Sequence, residues 1–471
     1  LNLDNDFLQK NQTMFPLKET DITKLRLGNG LLVMGMEYHK LPLVYISLMV
    51  KRGSERDPAG KEGLADLTAE MVTLGTEARD SQQLALEMEQ LGARYSAGSG
   101  PDASFVEVAG LADTFPLLMD LLGDMLLRPA FPQEEMQLSQ QRRIASLIQQ
   151  RDQAEVIADE IICQRLLAGS PYAHPAYGTM QSLGGLSAAD PRSFYCRHYS
   201  PGEAVLFVIG DLTPEEIRQR AEGMLGGWKG EGRSEAQLPQ PARPRGRRII
   251  AVNRPDLTQS QIRVGLLGIK RKDADYIPFK VMNYIFGGGG FACRLMQRIR
   301  AEKGYTYGIS STFQAGRITG PFIISTFTPT VTTVPVIEEI FKVMEEFISA
   351  GARAQELEEA KRFFTGSFPL RLETPGQMAG ALLQLELYEI PFDYLSSYRA
   401  AIEKVTLDKI NGLATAYLVP EDLILVVVGR AEEFVEPLRN WGDVEIVEYS
   451  EITKGSFPSN TSKHASTTCG W

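Results

Sequence analysis

Short runs of apolar residues, some alternating with polar ones, set the first readable pattern in the chain. Residues 24–27 and 31–36 are β-like runs on either side of Gly28-Asn29-Gly30, which predicts a hairpin. Residues 44–50 predict a further strand that enters Lys51-Arg52-Gly53-Ser54, and residues 103–110 predict another. Between them the apolar spacing becomes helical. Residues 63–76 predict a helix followed by a Gly75-Thr76 turn, and residues 84–93 an amphipathic helix closed by Gly92. Residues 115–127 predict a helix stopped by Arg128-Pro129-Ala130-Phe131-Pro132. A long helix from Gln133 to about Arg151 runs on into one across 154–167, residues 171–179 read as a loop, and 204–209 as a strand.

From Gly226 to about Arg247 the chain is rich in Gly, Pro, Glu and Arg, the composition of a linker. Beyond it the first half is echoed at a period of roughly 220 residues. Residues 199–210 pair with 417–429, 115–127 with 334–347, and 186–190 with 405–408. At 471 residues the chain exceeds one typical domain. The echo divides it into residues 20–228, a linker over 229–247, residues 248–447, and a polar tail over 448–471. The expected fold class is α+β, two homologous mixed α/β domains related by a pseudo-twofold axis.

Composition is that of a soluble globular protein, 43% hydrophobic and 23% charged. A net charge of -10 argues against general nucleic-acid binding. The one basic cluster, Arg243, Arg245, Arg247 and Arg248, lies in the Pro-rich stretch and reads as a solvated linker. No apolar run approaches the roughly 20 residues of a membrane helix, so no transmembrane segment is expected. Cys163, Cys196, Cys293 and Cys469 form no CxxC and suggest no disulfide framework. The compartment is left open between periplasm and cytoplasm, and the start at Leu1 rather than Met leans towards the periplasm.

Candidate chemistry begins with Gly63-Leu64-Ala65-Asp66-Leu67-Thr68-Ala69-Glu70-Met71-Val72-Thr73-Leu74-Gly75-Thr76. This stretch resembles the active-site helix of the insulinase/pitrilysin-type zinc peptidases, the inverzincins, whose signature is H-x-x-E-H. In that register His belongs at 66, Glu at 69 and His at 70, where the chain has Asp66, Ala69 and Glu70. The resemblance also implies a third ligand, a Glu, near 143–146. The chain reads Arg143-Ile144-Ala145-Ser146 there. A catalytic zinc needs about three protein ligands and an open position. The four histidines, His39, His174, His198 and His464, are too far apart in sequence to share a helical turn. Asp66 and Glu70 at i, i+4 share a helix face and could hold a hard cation, but such pairs are more often salt-bridged. No metal is expected in this chain.

The second half carries Ile285-Phe286-Gly287-Gly288-Gly289-Gly290-Phe291-Ala292-Cys293-Arg294-Leu295-Met296-Gln297-Arg298-Ile299-Arg300-Ala301-Glu302-Lys303-Gly304-Tyr305-Thr306-Tyr307-Gly308. Glycines before a helix can mark a phosphate site, but no G-K-[ST] follows them. The string is similar to the same family's glycine-rich loop, S-R-L helix and R-x-x-x-G-x-x-Y end. The resemblance implies that Arg300 and Tyr307 bind a substrate carbonyl and that Gly287, Gly288, Gly289 and Gly290 handle substrate. From the residues alone, Gly304 is a plausible helix C-cap, which puts Arg300 in the last turn and Tyr307 on the following strand. There a guanidinium and a phenol could converge on one oxyanion. The bland alternative is that Arg300 caps helix carbonyls and Tyr307 is core.

With the metal residues absent and the Arg/Tyr pair present, the expected function is that of a non-catalytic subunit in a heterodimeric zinc peptidase. This is the arrangement the resemblance to processing peptidases implies. Zinc would sit in an H-x-x-E-H partner, and Arg300 and Tyr307 would act in trans. Peptide would bind by strand addition to a sheet edge, and a homodimer could form without the partner. The alternative from another class is a structural scaffold like the core subunits of a respiratory complex. An autonomous serine hydrolase finds no support, because Ser99, Ser104 and Ser260 lie in no G-x-S-x-G context.

Overall fold

A computed structural model describes residues 21–230 and 237–450. Residues 1–20, residues 451–471 of the expected polar tail and residues 231–236 of the expected linker lie outside the described residues.

Alternation along the chain resolves into two sheets. The first contains β1 (Ile22–Arg26), β2 (Leu32–Glu37), β3 (Leu43–Val50), β4 (Arg94–Ser99), β5 (Ser104–Leu111) and β6 (Ala204–Gly210). Its order is β1-β2-β6-β3-β5-β4. The hairpin about Gly28-Asn29-Gly30 forms, with Ile22 opposite Met36 and Arg26 opposite Leu32. Four helices of this half matter for the site: α1 (Leu64–Val72), α2 (Phe115–Leu127), α3 (Gln133–Gln150) and α4 (Ala154–Leu166).

The second sheet contains β7 (Arg248–Asn253), β8 (Gln259–Leu267), β9 (Ile309–Phe313), β10 (Pro321–Pro329), β11 (Ile424–Gly429) and β12 (Asp443–Glu448), in the order β12-β7-β11-β8-β10-β9. Around it lie α5 (Tyr276–Asn283), α6 (Thr333–Ala350), α7 (Ala354–Ser367), α8 (Pro375–Leu387) and α9 (Asp393–Glu403). Five positions repeat strand for strand: β2, β6, β3, β5 and β4 correspond to β7, β11, β8, β10 and β9. Both β2–β6 and β7–β11 are parallel, while the other matched pairs are antiparallel. The sixth position breaks the repeat. β1 precedes its neighbour in sequence and runs antiparallel to it, whereas β12 comes from the far end of the chain and runs parallel to β7.

Central strands β6 and β11 are buried at every residue, as expected of strands covered on both faces. Leu206 and Val208 face the first half's own helices. Val205, Phe207 and Ile209 instead meet Met378, Ala379, Leu382, Leu383 and Leu385 of α8, a helix from the second half. The exchange is reciprocal: Ile424, Val426 and Val428 of β11 meet Ile157, Ala158, Ile161, Ile162 and Leu166 of α4, from the first half. Each large apolar side chain so buried contributes about 2 kcal/mol, so the swapped helices bind the two halves to one another.

The basic linker cluster is less solvated than its composition suggests. Arg243 stacks over the ring of Tyr417 at 5.4 Å, and Arg247 over that of Phe341 at 4.7 Å. Arg247 Nε also donates to the Pro420 carbonyl at 2.6 Å. Cation–π stacking on the second half fastens this part of the linker to it.

Candidate functional site

Helix α1 turns one face wholly inward. Leu64, Ala65, Leu67, Thr68, Ala69, Met71 and Val72 are buried, which leaves Asp66 and Glu70 on the remaining face, opposite α3. Asp57 fixes the start of α1 by accepting the N–H groups of Gly63 and Ala65, each at 2.7 Å. The Ala69 side chain is fully buried, so a methyl packed in the core stands where the resemblance places a general base.

Between the two carboxylates lies a guanidinium. Arg143 Nη1 reaches Asp66 Oδ2 at 2.5 Å, and Nη2 and Nε reach Glu70 Oε2 at 2.7 and 3.0 Å. Glu70 Oε1 accepts from Ser139 Oγ at 3.0 Å and from Arg142 Nη2 at 3.1 Å. Asp66 Oδ1 accepts the Ser99 N–H at 2.7 Å. Every oxygen of the pair is therefore engaged by a protein donor. Burial works against charge on Arg143, but the two carboxylates, Asp66 foremost, outweigh it and hold the guanidinium more firmly protonated than usual.

These residues do not fit zinc. Two hard carboxylates replace the imidazoles, and a fixed cation occupies the space between them. Among the described residues no group of three or more His, Cys, Asp or Glu is arranged to hold a metal. His39 lies between Glu37 and Asp211 on the surface, His198 packs on Phe194, and His174 sits in the loop before α1's neighbour Gly178. His464 is outside the described residues. Arg143 was visible in the sequence only as a missing Glu. The signal that could have found it was a cation at the third-ligand position facing two new acids.

The glycine-rich segment is built from one turn of π-helix at Tyr284–Gly288, a 3₁₀ turn at Gly290–Ala292 and a second π-helical stretch at Met296–Glu302. Three of its glycines answer to packing. A Cβ on Gly287, Gly288 or Gly289 would come within 2.3 Å of Ser311 Oγ, 2.6 Å of Asn283 Nδ2 or 2.7 Å of the Tyr284 carbonyl, respectively. Gly290 has open space around it and φ of +58°, and it presents Phe291 outward at 63% exposure.

Arg300 lies in the last turn of the second π-helical stretch. Gly304 follows with φ of +66°, its N–H bonded to the Arg300 carbonyl at 3.0 Å, and so closes the helix as its spacing predicts. The Arg300 guanidinium stacks over the Phe291 ring at 4.5 Å. It makes no ion pair and caps no carbonyl among the described residues. Tyr307 is 79% exposed, so it is not core. It stands on the bend two residues before β9 rather than on the strand itself, because the Thr306 hydroxyl accepts the Gly308 N–H and donates to the Phe327 carbonyl, fixing a local turn.

Within the chain, Arg300 and Tyr307 are not brought to Asp66 and Glu70. They lie at the start of β9, while the chain leaving its far end meets the first half. That seam is a polar cluster which sequence reasoning missed. Asp102 accepts from Tyr172 Oη, from Tyr388 Oη at 3.0 Å and from the Arg317 N–H at 3.1 Å. Arg317 Nη2 donates to the Lys51 carbonyl at 3.0 Å, and Lys51 Nζ to Glu386 at 2.7 Å. Glu55 Oε1 lies buried 3.6 Å from Arg317, and burial pushes its carboxyl up to about 7 against the pull of Arg317 and Arg56. Beside the seam a cavity of about 560 Å³ is lined from both halves, by Asp102, Glu160, Tyr172 and Tyr177 on one side and Gln314 and Tyr388 on the other.

Comparison with known proteins places this geometry. Residues 33–179 match the family model described as Insulinase (Peptidase family M16), and residues 185–364 the one described as Peptidase M16 inactive domain. A Helicobacter pylori protein named non-peptidase homolog YmxG is 24% identical over 402 residues, spanning 84% of this chain and 91% of its own. The crystal structure of a peptidase M16 inactive domain from Pseudomonas fluorescens superposes with a TM-score of 0.81 at 26% identity, over 87% of this chain and 97% of that one. A protease structure from Helicobacter pylori gives 0.79 at 16% identity, over 87% and 99%, a likeness of fold.

Proposed function

Because the chain belongs to the insulinase family of M16 peptidases and is an inactive member of it, we propose that it serves as the non-catalytic subunit of a heterodimeric zinc peptidase. One observation carries the reading: the two halves of the expected active site have opposite fates. The metal position is closed by Arg143 within the chain. By contrast, Arg300, half-buried against the Phe291 ring, and Tyr307, exposed to solvent, have no side-chain hydrogen-bond or ion-pair partner among the described residues. A guanidinium and a phenol left free in this way can stabilise an oxyanion formed elsewhere, on a zinc site carried by an H-x-x-E-H partner. Peptide would lie between the subunits and add to a sheet edge, with Gly290 and Phe291 as the exposed part of the glycine-rich loop that meets it.

The test is zinc-dependent cleavage of a fluorogenic peptide by the chain alone, by an H-x-x-E-H partner alone, and by the pair. Expected are silence from the chain alone, activity in the pair, and a 10²–10³-fold loss when the pair carries Arg300→Ala. A stable but silent pair would favour the structural scaffold. Chelator-sensitive activity from the chain alone would overturn both readings.

A further inference from the structure

Away from the site just described, three cations gather where no carboxylate among the described residues pairs with them. Arg271, only 8% exposed, stacks between Tyr276 at 4.0 Å and Tyr394 at 5.0 Å. Lys280 of α5 donates to Tyr398 Oη at 3.0 Å and lies over the rings of Phe364 and Tyr398 at 4.9 and 5.2 Å. Arg371 lies on the exposed turn before α8, where its backbone N–H donates at 3.1 Å to the carbonyl of Phe368, whose ring stacks on Tyr398. Tyr398 itself is sandwiched by Phe368, stacked at 4.4 Å, and Tyr394, at 5.9 Å.

Acidic residues nearby in sequence are engaged elsewhere. Asp275 pairs with Lys409, Glu386 with Lys51 and Glu389 with Lys272, and Asp273 accepts the Lys270 N–H. Among the described residues none of the three cations has an ion-pair partner. Aromatic faces offset part of this through cation–π attraction. The offset is incomplete: burial, then Arg371 and Arg271, bring the Lys280 ammonium down to about 7, with no acid opposing them. A half-buried group of like charges walled by phenols lacks an anion.

The cluster also faces the seam. Phe368 and Tyr394 pack against the second half's core and against the core that α8 shares with the first half. The Arg271 N–H donates to the carbonyl of Gly316, next to the Arg317 that binds Asp102. Lys280, Tyr276 and Tyr394 are partly exposed and Arg371 is exposed, so the cluster opens at one end.

We propose that Arg271, Lys280 and Arg371 form a carboxylate-binding subsite, which takes an acidic side chain or the C-terminal carboxylate of a peptide. The choice of a peptide as source rests on the proposed peptide-handling role, whereas the anion site itself does not. The carboxylate completes the cluster by accepting from the ammonium and the guanidinium groups, and the aromatic walls keep water from competing with it.

Two measurements on the full-length chain separate the two claims. The first is thermal melting with glutarate, with its neutral diamide and with inorganic phosphate at constant ionic strength. Glutarate is expected to raise Tm by about 3 °C and the diamide by nothing, with the rise lost in Lys280→Met. The second is fluorescence-polarisation binding of a peptide pair differing by Glu→Gln. The acidic peptide should bind about tenfold more tightly, and Lys280→Met should erase the difference. Removal of an uncompensated charge should leave the Met variant folded, and the exposed Arg371→Ala gives the same test if it does not. No protection by glutarate overturns the subsite. Protection by glutarate with neither peptide bound keeps the subsite and overturns the peptide source. Phosphate protecting more strongly than glutarate, with no preference between the peptides, reassigns the cluster to a phosphate ligand and overturns the carboxylate.

Discussion

The α1–α3 face of the first half and the glycine-rich edge of the second are the two places where the family's chemistry should reside, and they have been resolved oppositely. On the first, charge is satisfied internally: Asp66, Glu70, Arg143, Arg142 and Ser139 saturate one another. On the second, the charged and phenolic groups are held in place yet left available, Arg300 by its stack on Phe291 and Tyr307 by the turn at Thr306. A group that pairs within the chain supports stability, while a group that is positioned but unpaired is free to act on something else. The same principle separates the Arg143 triad from the cluster around Lys280.

The sharpest way to break this comparison is at Tyr307. Its phenol is mostly in water, so Tyr307→Phe should change the chain's own stability by less than about 0.5 kcal/mol, measured by urea unfolding. In the active pair it should lower kcat by about 10² with little change in KM, since a donor to a developing oxyanion acts in the transition state. A fall in stability without a fall in kcat would make Tyr307 a structural residue and dissolve the contrast.

Arg143 should behave in reverse. Arg143→Ala leaves two carboxylates facing one another at 19% and 26% exposure, Asp66 with the Ser99 N–H and Glu70 with Arg142 and Ser139 as its remaining donors. Breaking a fully buried pair costs about 3–5 kcal/mol, and partial access to water reduces the expected loss to about 2 kcal/mol. Differential unfolding should register that loss. Activity of the pair with its partner, assayed at a temperature where the variant is folded, should persist.

The strands, the hairpin and the duplication were legible because period-2 and 3.6 patterns are local properties of the chain. The exchange of α4 and α8 was not. Ile157, Ile161 and Ile162 announce a buried helix face, but nothing in their spacing says that the sheet they cover lies 262 to 271 residues away at Ile424, Val426 and Val428. At the metal position the missing ligands were legible as substitutions. What replaced them was not, because Arg143 lies 77 residues from Asp66 and reaches it only once α3 packs on α1. Tyr307 was expected on β9, and its place on the preceding bend depends on Thr306, whose hydroxyl binds across to β10. Arg271, Lys280 and Arg371 come from three separate elements and form no motif.

The seam between the halves offers a subtler test. Glu55 has its side chain fully buried, and its carboxyl is pushed up to about 7 from the usual 4.5, chiefly by burial. Below about pH 4.5 both folded and unfolded states hold the proton and the contribution is complete. As pH rises to about 7 the unfolded chain ionises first, the folded state retains the proton, and stability falls. The loss should be on the order of 3 kcal/mol and should level off above pH 7. Chemical unfolding of wild type and Glu55→Gln across pH 4–8 should show that slope in the first and a flatter profile in the second. Parallel profiles would mean that Arg317 and Arg56 keep Glu55 ionised throughout.

The smallest expected effect is also the most discriminating, because Arg142 and Arg143 are neighbours in sequence that bind the same Glu70. Arg142 reaches Glu70 Oε1 at 3.1 Å with its side chain 57% exposed, against 19% for Arg143. Water competes for the first pair and screens it, so Arg142→Ala should cost less than about 0.5 kcal/mol. The second bridges two carboxylates from a fixed geometry, and its loss should be several times larger. If the two alanine variants unfold at the same denaturant concentration, the guanidinium between Asp66 and Glu70 is one surface charge among others. If they differ as expected, α1 is held to α3 by the cation that stands between its two carboxylates.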